Sequence, residues 1–251
     1  MGVVATAQAV GFVAAIVMAL LAREPLPQGS DLGWSAVIGV AGVIGMTSLY
    51  RGLAVGRMGV VAPTTGVLGA LIPVAAGFVI EGVPSPFTIV GIVAALLAVV
   101  LVTRSPGHDD DRPSGIRWAL LAATGIGVFN IGIGQLSGAA PFGSLAVFRL
   151  IQAGILLVLI VAWRQPWRME RAILPKLVVI GLLDMAGNAT FILAVGAGAL
   201  AIASVLSSLY PVTTVLLALV VLRERFTRSH AVGIVLTALG VALIAYGTSI
   251  P

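Results

Sequence analysis

Hydrophobic side chains make up 59% of the 251 residues and charged ones only 9%, against roughly 45–50% and about 25% in soluble domains, so the chain is composed for a bilayer. Cysteine is absent, which excludes disulfides, thiol chemistry and cysteine metal sites. The net charge of +5 comes from bases at the ends of apolar runs, without the aromatic-interleaved basic face that nucleic acid requires.

Apolar windows of about 20 residues, enough to cross the hydrocarbon core as a helix, recur nine times. The first, 3–22, has no Lys or Arg before it and no small-x-small site closing it, so it reads as a spanning helix and not as a cleaved signal. The others follow at 34–55, 58–80, 86–103, 118–137, 144–163, 174–196, 200–222 and 230–247. The longest breaks, "RSPGHDDDRPSGIR" (104–117) and "RQPWRMERAIL" (164–174), leave no room for a soluble domain. The fold class expected is an all-α integral membrane protein of nine transmembrane helices.

Two features imitate chemistry that the context does not support. Asp109, Asp110 and Asp111 beside His108 form an acidic turn between bases; it reads as solvated, and no metal site is expected. The glycines of "GIGVFNIGIG" (125–134) lie inside an apolar span with no strand before them, so they suit close helix contact better than a nucleotide phosphate. No cofactor is expected, and no phosphate loop for nucleotide-driven pumping.

Orientation follows the bias of Lys and Arg toward cytoplasmic loops. Eleven bases (Arg57; Arg104, Arg112, Arg117; Arg164, Arg168, Arg171, Lys176; Arg223, Arg225, Arg228) fall in the breaks after even-numbered spans or, for Lys176, in the first turn that adjoins one, and Arg23 alone falls in the others. The N-terminus is therefore expected in the cytoplasm and, after nine crossings, the C-terminus outside. Arg51 and Arg149 lie within spans.

The chain repeats itself. "VLGALIPVAA" (67–76) returns as "VLSSLYPVTT" (205–214), "GLAVG" (52–56) as "ILAVG" (192–196), "TAQA" (6–9) as "LIQA" (150–153), and V-G-I-V occurs at 90–93 and 232–235. Setting Gln8 against Gln152 gives four paired spans and leaves the fifth without a partner, so the first copy lacks its leading helix. Four remaining of five, plus five, is an inverted repeat, because an odd count turns the second copy upside down. The expected division is a first repeat over 1–103, a cytoplasmic linker over 104–117 and a second repeat over 118–251. "EGVPSP" (81–86) carries no base whereas its counterpart "RERFTRSH" (223–230) carries three arginines, as equivalent loops on opposite sides should.

"SLYPVTTVLLALVVLRERFTRSHAVGIVLTALGVALIAYG" (208–247) resembles the C-terminal end of an EamA-type member of the drug/metabolite transporter superfamily, and Pro73, Glu81 and Gly91 repeat its pattern in the first half. The resemblance implies an inner-membrane carrier of two inverted five-helix repeats, here without the first of ten helices, which exports or exchanges small metabolites by alternating access.

The residues from which a binding site could be built are polar ones within spans. Asp184, the single acid inside a span, lies about 15 Å deep at 1.5 Å per residue, with Asn188 one turn on along the same face. It either fixes packing through neighbouring hydroxyls or binds a cationic or polar solute or a proton. Arg149 is expected roughly 10 Å shallower, snorkelling outward or pairing with Asp184 if the helices are offset; Arg51 is expected to snorkel inward. Ser204, Ser207, Ser208, Pro211 and Thr214 recur at three- and four-residue steps on one face, beside Tyr210, and either bond back to their own helix or face a cavity opened by Pro211. Asn130, Thr47 and Tyr50 complete the expected lining.

The partners expected are the lipid bilayer and a small organic solute. Two other readings use the same pattern: a membrane subunit that transports nothing, and a flippase of a lipid-linked substrate.

Overall fold

The computed structural model describes residues 2–103, 113–136, 138–162, 164, 173–197, 200–210, 212–213 and 228–249. Among them the secondary structure is entirely helical. In chain order the helices are α1 (Gly2–Leu21), α2 (Ser30–Val55), α3 (Met58–Ile80), α4 (Pro86–Thr103), α5 (Ile116–Gly134), α6 (Pro141–Ala162), α7 (Leu174–Ala197), α8 (Leu200–Ser207) and α9 (Arg228–Ser249). Seven are long and apolar enough to cross a membrane, and Pro86–Val102 is a shorter apolar helix. Helix is what hydrocarbon permits, because every backbone N–H and C=O is then bonded within its own segment. Thr214, Pro211, the acidic turn 109–111 and the bases Arg104, Arg112, Arg168, Arg171, Arg223 and Arg225 lie outside the described residues.

The ends of the helices follow local chemistry. Ser85 precedes α4, and its Oγ accepts a hydrogen bond from the N–H of Thr88 (3.3 Å), an N-cap followed by proline at the first helical position. The same Ser85 hydroxyl donates to the carbonyl of Gly247 at 3.0 Å, tying the start of α4 to the end of α9. Before α6, the carboxylate of Glu24 accepts from the N–H of Gly143 at 2.9 Å. At the end of α3, Glu81 accepts from the N–H of Leu200, the first residue of α8, at 2.8 Å. Each carboxylate meets the positive end of a helix dipole and bonds an otherwise unpaired donor.

The helices form two compact units, residues 1–44 with 128–197 and residues 45–127 with 198–251. In the second, α4 packs against α9 and α3 against α8, around a core that includes Val74, Ala95, Val99, Val205 and Ile244. The α4–α9 approach depends on glycine. A Cβ on Gly91 would lie 2.7 Å from the carbonyl oxygen of Gly240 and 2.9 Å from the nitrogen of Ile244. Gly233, the repeat counterpart of Gly91, faces Ala98 and Val102 in the same way, and these are the counterparts of Gly240 and Ile244. The pairs 91–240 and 98–233 thus exchange under the repeat, and the helices cross antiparallel about their common middle.

In the first unit, α1 packs on α6 and α7. Gly181 of α7 meets the carbonyl of Ala7, where a Cβ would stand 2.7 Å from the oxygen. Gly39 of α2 meets Ile151 and Phe148 of α6. The Phe129 and Phe148 rings stack edge to face with centroids 5.6 Å apart, an arrangement their quadrupoles favour. Ala15, Ile38, Leu145 and Leu177 of the same unit are buried.

Gly91→Ala should lower stability by about 1–3 kcal/mol through overpacking against backbone. Gly187→Ala, where nothing lies within 4 Å, should be neutral or stabilise by up to about 1 kcal/mol from helix propensity. Thermal unfolding of the purified protein in detergent compares the two, and equal effects would contradict the close α4–α9 approach.

Candidate functional site

The polar centre of the first unit is built on three helices. Arg149 on α6 is among the largest fully buried side chains, 1% accessible. Its Nη1 donates to Oδ2 of Asp184 on α7 at 2.5 Å and to Oε1 of Gln8 on α1. The guanidinium therefore turns inward rather than snorkelling. α6 begins at Pro141, three residues before the expected start at 144, so Arg149 lies about 12 Å along its helix.

Access to the three partners is unequal. Asp184 is 38% exposed on its side chain while Arg149 is sealed, and Gln8 is buried at 7%. One guanidinium nitrogen thus carries both bonds. The other two, Nε and Nη2, are buried with no hydrogen-bond partner among the described residues. Gly11 packs beside this group, for a Cβ there would lie 3.2 Å from Nη1, 3.3 Å from Cζ and 3.4 Å from Nε. Those near-equal distances place it over the guanidinium face.

Asn188 shares the helix of Asp184, but its side-chain amide donates to the backbone carbonyl of Asp184 at 2.8 Å. Asn130, on α5 in the same unit, is half-buried. Gln152, the repeat counterpart of Gln8, is buried near Gly42 and Phe129.

The remaining expected residues belong to the second unit. Ser204 and Ser208, one turn apart, are buried, and Ser207 is exposed, so the serine stripe divides between two environments. The Ser208 hydroxyl donates to the carbonyl of Val205 at 2.7 Å, a bond back to its own helix, while the Oγ of Ser204 is buried without a partner among the described residues. Beyond Ser207 the bonds shorten to three-residue steps, from Leu209 N–H to Leu206 C=O at 3.2 Å and from Val212 N–H to Leu209 C=O at 2.9 Å, so the helix tightens as it nears Pro211. Tyr210 and Tyr50 are exposed, and Thr47 is half-buried. Arg51 lies 6.0 Å over the Trp118 ring.

Sequence reasoning names Arg149 and Asp184 but uses Gln8 only to align the repeat, and it passes over Gly11. An amide in an otherwise apolar span was the signal for Gln8, because a polar side chain in hydrocarbon needs a partner.

Gln8→Leu keeps the volume and removes the acceptor from a charged donor, so it should destabilise by about 1.5–3 kcal/mol. Thermal unfolding in detergent reads this, and unchanged stability would remove Gln8 from the cluster.

The family model of the EamA-like transporter family matches residues 113–246. A protein of known crystal structure has the same fold, with a TM-score of 0.82 at 18% identity over 97% of this chain and 88% of the other. No curated protein matches the chain in sequence. With the family model spanning more than half of its length and its helices apolar enough to cross a bilayer, the chain is a multi-pass membrane protein that belongs to the EamA-like transporter family, within the drug/metabolite transporter superfamily.

Proposed function

We propose that the protein is a secondary carrier that exports or exchanges a small organic solute across the plasma (inner) membrane by alternating access. Its two repeats, 1–103 and 118–251 with a cytoplasmic linker 104–117, run in opposite senses, with the N-terminus in the cytoplasm and the C-terminus outside. The exchange of the α4–α9 contacts under the repeat supports that symmetry, and the segregation of bases supports that orientation.

The observation that carries the reading is the Arg149–Asp184 pair. Taking two charges into hydrocarbon is expensive, and replacing such pairs with apolar residues is often neutral or stabilising. Its value lies in what the pair can do, and an ionisable group in a membrane span is a functional feature by default. With 38% of its side chain open, Asp184 can release Arg149 when a solute or proton arrives. Within the first unit Asn130 and Asn188 are proposed as further contacts for the solute, and Thr47, Tyr50, Ser204, Ser207, Ser208, Tyr210 and Thr214 are proposed as polar candidates of the second unit in their own right. Because Arg149 offsets the charge of Asp184, the pair suits a polar or charged-group exchange better than simple capture of a cation.

Asp184→Asn keeps the shape and removes the charge. In proteoliposomes loaded with a candidate solute, its flux should fall about tenfold or more, the rate equivalent of a charged hydrogen bond worth about 1.5–3 kcal/mol, while insertion is retained. Flux equal to that of the unaltered protein would take Asp184 out of the mechanism.

A further inference from the structure

Arg149 has an unused half. A guanidinium offers five N–H donors in a planar fork, and among the described residues only Nη1 is engaged. The Nε–H and one Nη2–H point the same way, in the parallel pair that grips two oxygens of one oxyanion. Both nitrogens are buried and lack an acceptor among the described residues. Leaving buried donors unmade costs about 1–3 kcal/mol each, more on a charged group, and buried groups with no partner are rare enough to need a reason.

The neighbours do not supply one. Phe148 lies 6.0 Å from Cζ and Gly11 lies over the guanidinium face; neither offers an acceptor to the edge. Asp184 is held by a single oxygen.

We propose that the Nε and Nη2 edge of Arg149 binds a carboxylate carried by a small soluble solute, with Gln8 holding the opposite corner of the guanidinium and Gly11 packed against its face. The charge balance selects a carboxylate over a phosphate. Arg149 and Asp184 cancel, so a carboxylate adds one negative charge and a phosphate up to two, in a region where burying each uncompensated charge costs several kcal/mol. The arriving anion also competes with Asp184 for the one positive centre, and the partly open Asp184 is the partner free to leave. The solute's passage rests on the carrier reading above, whereas its binding does not.

The test uses the full chain purified in uncharged detergent, with acetate, benzoate, hexanoate and succinate as probes and benzamide and hexanamide as neutral controls. At least one carboxylate should bind, and bind about tenfold or more tightly than its amide, the difference that one charged hydrogen bond makes. Gly11→Ala should weaken that binding, and Arg149→Lys, which keeps the charge and loses the fork, should abolish the preference over the amide. If the Arg149 variant does not fold, nitrogen-labelled arginine in the unaltered protein decides, because a bound carboxylate must shift one Nε–H resonance. Failure of every carboxylate to shift it, equal binding of acid and amide, or tighter binding of inorganic phosphate or phosphatidylglycerol than of any carboxylate would overturn the assignment. Carboxylate binding without flux in proteoliposomes upholds this site and defeats the carrier reading; flux of neutral solutes with no carboxylate binding does the reverse.

Discussion

A cation sealed among apolar helices must be answered by named groups, and in this protein Arg149 is answered by Gln8 and Asp184. The three residues come from α6, α1 and α7, so one guanidinium fixes the mutual register of three helices. The buried apolar side chains of the same unit, among them Ala15, Ile38, Leu145 and Leu177, have no direction of their own, since dispersion contacts tolerate sliding that a charged hydrogen bond does not. The polar centre therefore specifies what the apolar surface only permits.

Lipid tails are as apolar as leucine, so helices in a bilayer gain little by hiding side chains from them and much by approaching closely. The glycines answer this need. Gly181 lets α7 reach the backbone of α1, and Gly91 with Gly240 brings α4 and α9 into backbone contact. Arg149 depends on the same device, because the missing side chain of Gly11 lets α1 pack against its guanidinium. Packing and polar chemistry are joined at that position. A side chain there would be a steric change with an electrostatic consequence.

The spans were legible because hydrocarbon thickness fixes their length and composition. α3 and α4 fall where the apolar windows place them, at 58–80 and 86–103, and α2 begins four residues early, at Ser30, since its first turn is polar. The repeat was legible too, as V-G-I-V and the paired prolines stand in the sequence itself. Which polar residues meet was only partly legible. Asp184 declares itself as an acid in a span, but its partner depends on the rotation and depth of α6, which an apolar window does not fix. Gln8 and Gly11 are readable only after α1 is laid against α6. The serine stripe shows the opposite case: spacing alone puts Ser204, Ser207 and Ser208 on one face, while the neighbouring helices bury Ser204 and Ser208 and leave Ser207 exposed.

The account stands on Arg149 and Asp184 acting as one unit, and a double-mutant cycle measures that directly. Arg149→Met and Asp184→Asn are made singly and together, and unfolding free energies are read in one detergent. Breaking a buried pair from one side costs about 3–5 kcal/mol, so the double variant should be less destabilised than the sum of the singles by about 1 kcal/mol or more. Effects that add within about 0.5 kcal/mol would mean that the two side chains do not hold each other, and the site described here would not exist.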